Sequence, residues 1–434
     1  MSRCQFVPPY LVERLQPPSL VARDRELRAA REAGPRPVPR SAVAQEAWVV
    51  HDCGNTANLP GRRVRASGEP AENDAAVDVA VDEAAYAVDA ALALCQLFGR
   101  RSFDDRGAQV SVSVHYEQGY ANAFWDGAQL VFGDGDGEVF GRFTGPVDVL
   151  GHEFAHALVE RTTGFTYWGQ PGALNESFAD VFGACLKQRV LGQTVDEADW
   201  IVGEGLFLPG VGARGLRDMA APGTAYDDPR LGRDPQVGHL RDYVDTSEDN
   251  GGVHYNSGIP NRAFHLVATA IGGSVWEGAG RIWWEALTTA DLAAESDFAA
   301  FAAATIIAAG PHERAVATAW DQVGVTPMAG SADQPSHSAA GRDPAPSPIV
   351  FVRRTGGLAG MISEGSVNLE TRDERVPELQ ALVERVDVAA VGERAPAPAP
   401  DRFVYDFDLC GASCQVGEQD LTQELRRIAD LLLR

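Results

Sequence analysis

The stretch "VLGHEFAHALVE", residues 149–160, limits what this chain can fold into more than any other. It sets His152 and His156 four residues apart, about one helical turn, so both imidazoles leave the same side of a helix. Zinc accepts two such nitrogens at about 2.0–2.1 Å. Glu153 follows the first histidine and is turned from it by about 100° around the helix axis. From there it reaches a water on a metal without ligating the metal itself. The plain alternative for this H-E-x-x-H pattern is a set of polar residues on a helix surface. Phe154, Ala155 and Ala157 oppose that, because they mark a largely buried helix. Three ionisable groups are costly there without a metal.

The flanks support a helix over 145–164, with Pro146 at its start, Gly164 at its stop and an apolar face of Val147, Leu150, Phe154 and Leu158. A catalytic zinc needs a third protein ligand and one open position. Glu176 is the candidate, on a second helix over 172–192 that ends at a glycine. The loop "TTGFTYWGQPG" allows that helix to fold back across the first. Asp180 lies one turn beyond Glu176, placed to accept a hydrogen bond from a ligand histidine. Far along the chain, "EDNGGVHYNSG" (248–258) combines the turn-forming Gly251 and Gly252 with His254 and, five residues before it, Asp249. An acid-oriented histidine suits the stabilisation of an oxyanion.

The length of 434 residues suits two or three domains. Trp, Phe and Tyr spread through the middle predict a sizeable core over 75–325. No run of 18 apolar residues exists, so no membrane span is expected. The start "MSRCQFVPPY" lacks the apolar stretch of a classical secretion signal. The chain is expected to be cytoplasmic at synthesis, with a non-classical route as its way out. A net charge of −24 without a basic stripe excludes nucleic acid as partner. A monomer is expected. The six cysteines are too scattered for a disulfide framework. Cys185 reads as a core thiol, and Cys410 with Cys414 supplies only half of a structural zinc site.

Composition divides the chain. Residues 1–48 are rich in Arg, Pro and Ala, with a short helical stretch at Tyr10–Leu15. The globular part runs from about 75 to 327. Its predicted order is a helix at 78–99, strands at 109–116 and 128–135, the two long helices, and four further helices. That order predicts an α+β fold, an N-terminal α/β lobe followed by a mainly helical lobe. Residues 329–348 form a Pro-rich linker, and a smaller unit follows.

With "NAFWDG", "FGDGDG", "GHEFAH", "GALNESFAD", "GLRDM", "GTAYDDP" and "DNGGVHYNSGIPNRAF", the chain resembles the thermolysin family of zinc metalloendopeptidases over roughly 110–327. The resemblance implies the two-lobed peptidase fold with the zinc cleft between its lobes. It implies one zinc on His152, His156 and Glu176, with Glu153 as general base. His254 and Tyr167 would hold the tetrahedral intermediate, and Asp249 would orient His254. Asn122, Ala123 and Arg217 would bind the substrate backbone. Phe140, Phe143, Val149 and Leu216 would line a pocket for a bulky hydrophobic residue just after the scissile bond. Lys187 stands where calcium-binding members carry a carboxylate, so the double calcium site is expected to be absent. "FVPPYLVERL" is similar to the short propeptide of the protealysin-like branch, with Pro8, Pro9 and Tyr10 as the docking motif. Residues 1–48 would then be a propeptide, 49–327 the peptidase and 328–348 the linker. A Cys4 thiolate would be a further candidate for zinc's open position.

Residues 349–434 predict strand pair, helix, strand pair, helix, a small α+β domain. With the basic strand before "GGLAG", the "DRFVYDFDL" strand and the closing helix, it resembles emfourin, a small inhibitor associated with protealysin-like peptidases. The resemblance implies an inhibitor carried in cis, with the Gly356–Gly360 turn as its candidate loop. The alternative is a module that binds a protein substrate or partner. A third possibility, an interaction protein with a relic site, is disfavoured because every catalytic position carries a competent residue.

Overall fold

The computed structural model describes residues 5–16, 21, 46–69, 78–328, 349–356, 361–369, 375–383, 385–386, 403–409 and 412–433. They form two units, divided between Gln334 and Pro335.

The first unit opens with a short helix α1 (Pro9–Leu15), entered through Pro8 and starting on Pro9. Both prolines suit a first turn, where an N–H has no partner to lose. Strands β1 (Trp48–Thr56), β2 (Arg62–Ala66), β3 (Val110–Tyr116), β4 (Ala123–Trp125) and β5 (Leu130–Phe132) make one sheet in the order β2-β1-β3-β5-β4. The inner pairs β1–β3 and β3–β5 are parallel; the outer pairs are antiparallel. Helix α2 (Val79–Leu97) lies between β2 and β3 in the chain, and Asp78 caps it by accepting from the N–H groups of Ala80 and Val81. The sheet therefore begins near residue 48, well before 109–116, the first strand predicted from sequence. β1 escaped notice because only its first three residues, Trp48–Val50, form an apolar run; Asp52, Gly54 and Asn55 are turn formers. β4 is an edge strand, whose one strand neighbour among the described residues is β5.

Helices α3 (Val147–Glu160) and α4 (Gly169–Leu191) follow. The sequence predicted one apolar stripe on α3, yet every residue from Asp148 to Val159 is buried. α3 is thus a central helix enclosed on all sides, and its polar residues sit inside the protein. Gly151 and Gly183 explain how it crosses α4. A Cβ on Gly151 would lie 3.0 Å from the Gly183 Cα, and one on Gly183 would lie 2.7 Å from the Asp148 carbonyl oxygen. Only glycines allow the two backbones to come this close. α4 starts at Gly169, three residues before the predicted start, and stops against Gly192 in a left-handed conformation.

Two small hairpins come next, β6 (Ile201–Val202) with β7 (Arg217–Asp218) and β8 (Asp227–Asp228) with β9 (Gly232–Arg233). Helices α5 (Asp249–Asn256), α6 (Gly258–Ile271), α7 (Ala279–Thr289), α8 (Phe298–Ala308) and α9 (Glu313–Gln322) complete the unit. Trp283 and Trp320 stack at 6.0 Å in their core, and the Trp320 Nε1–H donates to Thr305 Oγ1 at 2.8 Å. Among the described residues, no helix is long and apolar enough to cross a membrane.

The second unit is an antiparallel sheet in the order β11-β10-β12-β13, from β10 (Ile349–Gly356), β11 (Met361–Asn368), β12 (Phe403–Leu409) and β13 (Ala412–Gly417). Helices α10 (Val376–Val383) and α11 (Gln423–Leu432) belong to the same core. α11 buries Leu425, Ile428, Ala429 and Leu432, one helical face, and Thr422 caps its start. Strand pair, helix, strand pair, helix is the predicted order. Cys4, Cys410, residues 357–360 of the candidate loop and linker residues 329–348 lie outside the described residues.

Candidate active site

The crossing of α3 and α4 brings His152, His156 and Glu176 together, with their ligating atoms within 4.8 Å of one another and all three residues buried. The two Nε2 atoms are 3.1 Å apart. Glu176 Oε2 lies 3.5 Å from His152 Nε2, and Oε1 lies 3.7 Å from His156 Nε2. Two donors each about 2.0–2.1 Å from one tetrahedral ion stand about 3.3–3.4 Å apart, so the three side chains fit a zinc. Each ring is held through its other nitrogen: His152 Nδ1 is 2.9 Å from Asp180 Oδ1, and His156 Nδ1 is 2.8 Å from Asn175 Oδ1. That leaves both Nε2 atoms directed at the same point. Glu176 Oε2 is buried and accepts no hydrogen bond from the described residues, as a carboxylate oxygen awaiting a cation would.

The electrostatics agree with a cation site. Burial pushes His156 down to about 4, towards the neutral form a metal requires. Burial opposes the charged form of His152 too, but Asp180 and Glu176 outweigh it and raise that ring to about 9. Burial also opposes ionised Glu176, yet His254, His152 and His156 hold it well below the usual carboxylate range. Asp180 is fixed by two bonds from Arg217, both 2.7 Å, and one from Asn261 Nδ2 at 2.8 Å.

Glu153 accepts the Trp125 N–H of β4 through Oε2 at 2.8 Å, which ties the carboxylate of α3 to the edge strand. His254 lies on α5, where Asp249, Asn250, Gly251 and Gly252 have φ of 52°, 53°, 76° and 75°. This left-handed turn wraps Asp249 back on His254: Oδ1 is 2.6 Å from the ring Nδ1, and Oδ2 accepts the His254 N–H at 2.8 Å. Gly251 is needed because a Cβ there would sit 2.8 Å from the Gly169 nitrogen. His254 Nε2 then faces Glu176 Oε2 at 3.4 Å. The Tyr167 hydroxyl donates to Glu176 Oε1 at 2.5 Å.

Of the expected pocket residues, Phe140, Phe143 and Val149 are fully buried and Leu216 nearly so. Phe140 and Phe143 pack at 5.7 Å. Asn122, Ala123 and Arg217 contact the chain's own N-terminal segment. Phe6 N–H donates to the Ala123 carbonyl at 3.1 Å, Val7 N–H to Asn122 Oδ1 at 2.8 Å, and Arg217 Nη1 to the Phe6 carbonyl at 3.3 Å. Tyr10 stacks on Tyr255 at 5.0 Å, and Arg14 Nε donates to the Arg230 carbonyl at 2.6 Å. Beside Pro8, Pro9 and Tyr10, which the sequence had singled out, Phe6 and Val7 make the backbone contacts to Ala123, Asn122 and Arg217. Asn175, Asn261 and Trp125 were also missed. Asn175 precedes Glu176 directly in "GALNESFAD", the one signal that pointed to it.

Residues 45–160 match the family model of the thermolysin metallopeptidase catalytic domain, and residues 163–325 match that of the thermolysin metallopeptidase alpha-helical domain. An extracellular metalloprotease of Pectobacterium carotovorum is 44% identical over 340 residues, covering 74% of this chain and 96% of the relative. The chain belongs to the thermolysin metallopeptidase family. Protease PrtS of a Photorhabdus strain is 46% identical over 285 residues, 64% of this chain and 76% of that protein. The structure of a protealysin precursor, a metalloproteinase from Serratia proteamaculans, is similar with a TM-score of 0.66 and 45% identity, covering 74% of this chain and all of that one. Residues 352–433 match the emfourin model. The peptidase is therefore a thermolysin-type metalloprotease with an emfourin domain. The family implies a catalytic zinc, and the grouping of His152, His156 and Glu176 suits it.

Proposed function

We propose that the chain is a zinc endopeptidase, made as a zymogen, that cuts peptide bonds before bulky hydrophobic residues. The convergence of His152, His156 and Glu176 beside Glu153 carries this reading. Those three residues would hold a zinc, which would supply Lewis acidity and acidify a water near neutral pH. Glu153 takes the water's proton and returns it to the leaving amine. His254, kept in one orientation by Asp249, donates from Nε2 to the oxyanion, and Tyr167 turns its hydroxyl from Glu176 to the same oxygen. Arg217, Asn122 and Ala123 align the backbone, and Phe140, Phe143, Val149 and Leu216 supply the apolar walls. Residues 1–48 act as the pro-segment. The contacts of residues 5–16 across the cleft support that assignment.

The emfourin domain serves as an inhibitor in cis. A tether of about 20 residues gives it an effective concentration of roughly millimolar. Lys187 supplies an internal cation in place of calcium: its Nζ lies 2.8 Å from Asp199, 2.9 Å from Glu204 and 3.1 Å from the Ile201 carbonyl. Relatives described as extracellular favour action outside the cell. Zinc content and peptide hydrolysis measured on Glu153→Ala test the central claim. Zinc is expected to stay bound while kcat falls by about 10²–10⁴-fold. Full activity in that variant would refute the role of Glu153.

A further inference from the structure

We propose, resting on the hydrolase reading above, that Glu160 is a positioning residue: through Trp125 it aims Glu153, the general base. The chemistry described so far leaves this carboxylate unused, although it is partly buried in the same helix as the base.

Glu160 stands two turns after Glu153 on α3. Seven residues rotate by about 700°, so both carboxylates lie on one stripe of the helix, about 10 Å apart along its axis. Trp125 of β4 meets both. Its backbone N–H donates to Glu153 Oε2 at 2.8 Å, and its indole Nε1–H donates to Glu160 Oε2 at 2.9 Å. The strand is thus attached to one rigid helix at two points. The indole between them is buried and held from the side. Phe103 meets its ring at 5.5 Å and packs edge-on at 6.3 Å against Phe154, the residue after Glu153. Glu160 Oε1 is buried as well and lies 3.6 Å from Arg161 Nη2, a cation at the end of the same helix.

The second attachment matters because β4 is short, three residues set against β5. Residues two apart on a strand send their backbone groups to the same side. Ala123 and Trp125 therefore share the outer rim of β4. The Ala123 carbonyl accepts a backbone N–H from outside the sheet, and the Trp125 N–H goes to Glu153. One strand hence sets the distance between a bound backbone and the base that serves it. Held by the Glu153 bond alone, the end of β4 would pivot about a single point. The bond from the indole to Glu160 removes that freedom. A misplacement of about 1 Å at the reacting groups costs on the order of 100-fold in rate. Glu160 also satisfies a buried indole donor, a role that by itself would affect stability alone. Kinetics separate the two roles.

Peptide hydrolysis by the full-length, zinc-loaded chain tests the role. A trace of parent enzyme completes any processing, and its own turnover is subtracted. Glu160→Ala is expected to lower kcat by about tenfold or more, with KM and zinc content unchanged. Glu160→Gln keeps an acceptor for the indole and should hold kcat within about threefold of the parent. Trp125→Phe keeps a ring and drops the donor. Its kcat should fall as in Glu160→Ala, and the double variant should fall no further. Unchanged kcat in Glu160→Ala, or a loss that Glu160→Gln shares in full, would overturn the role. Should Glu160→Ala fold poorly, Trp125→Phe and Glu160→Gln decide: equal kcat in those two overturns it. Hydrogen exchange at the Trp125 amide reads the tether without turnover. It should quicken by about tenfold in Glu160→Ala and stay slow in Glu160→Gln. Exchange as slow in Glu160→Ala as in the parent would overturn the tether. If the parent cuts no peptide while exchange responds as stated, the hydrolase reading fails and the tether stands.

Discussion

Asp180 shows how much of a metal site lies in residues that never touch the metal. It is fully buried, receives two hydrogen bonds from Arg217 and one from Asn261, and holds the His152 ring. Asp180→Asn keeps the shape but loses the charge that orients His152. Zinc affinity should fall by roughly 10–100-fold, read by competition with a chelator. Asp180→Ala should also lower stability by about 3–5 kcal/mol in chemical denaturation, because Arg217 would be left buried without its partner. The H-E-x-x-H residues were legible in sequence because four-residue spacing is a local property of a helix. Asp180 was legible for the same reason, one turn from Glu176. Asn261, 81 residues from Asp180, was not, since only the packed fold brings the two together. Phe6 was hidden differently: an apolar residue in a Pro-rich stretch carries no periodic signal.

At the scale of elements, two charged side chains act as ties. His115 bonds Asp134 through Nδ1 and Asp78 through Nε2, each at 2.8 Å. Asp78 is also the cap of α2, so one ring links the end of β3, the loop after β5 and the start of that helix. The bond to Asp134 raises His115 to about 9; partial burial opposes this, and Asp78 adds to it. A folded pKa above the unfolded value of about 6.5 gives stability that is complete below pH 6.5 and is lost as pH rises through about 9. The first unit should therefore melt lower at pH 9.5 than at pH 6.5. His115→Gln should remove about 1 kcal/mol of that dependence after solvent screening, or about 2–4 °C in thermal scans. Lys187 ties α4 to the β6 region in the same manner. Calcium addition should leave the melting temperature of the parent unchanged. Lys187→Met should lower it, because Asp148 and Asp199 would lose their countercharge. The helices and the order of the second unit were readable from periodicity and caps. β1 was not, because its second half looks like a turn, and its place inside the sheet depends on neighbours far along the chain.

At the scale of the whole molecule, the two units have separate cores and separate sheets. A chain ending at residue 330 should therefore keep the fold of its first unit. If the emfourin domain inhibits in cis, that truncation should raise hydrolysis of a short peptide, and added second unit should suppress it again. Unchanged activity on the short peptide, with a loss confined to one protein target, would instead mark the domain as a binding module. The Pro-rich stretch at 329–348, read from composition, contains the division between Gln334 and Pro335.

The outer side of β4 receives the Phe6 N–H at the Ala123 carbonyl, so a substrate taking that place must itself be extended. Helices and paired strands of a native protein have already committed their amides elsewhere, so they are refused whatever their side chains. An enzyme that binds its substrate in this way selects for conformation before it selects for sequence. On folded proteins its cutting rate should follow how often a segment locally unfolds, which makes it a reporter of the weakest parts of its targets.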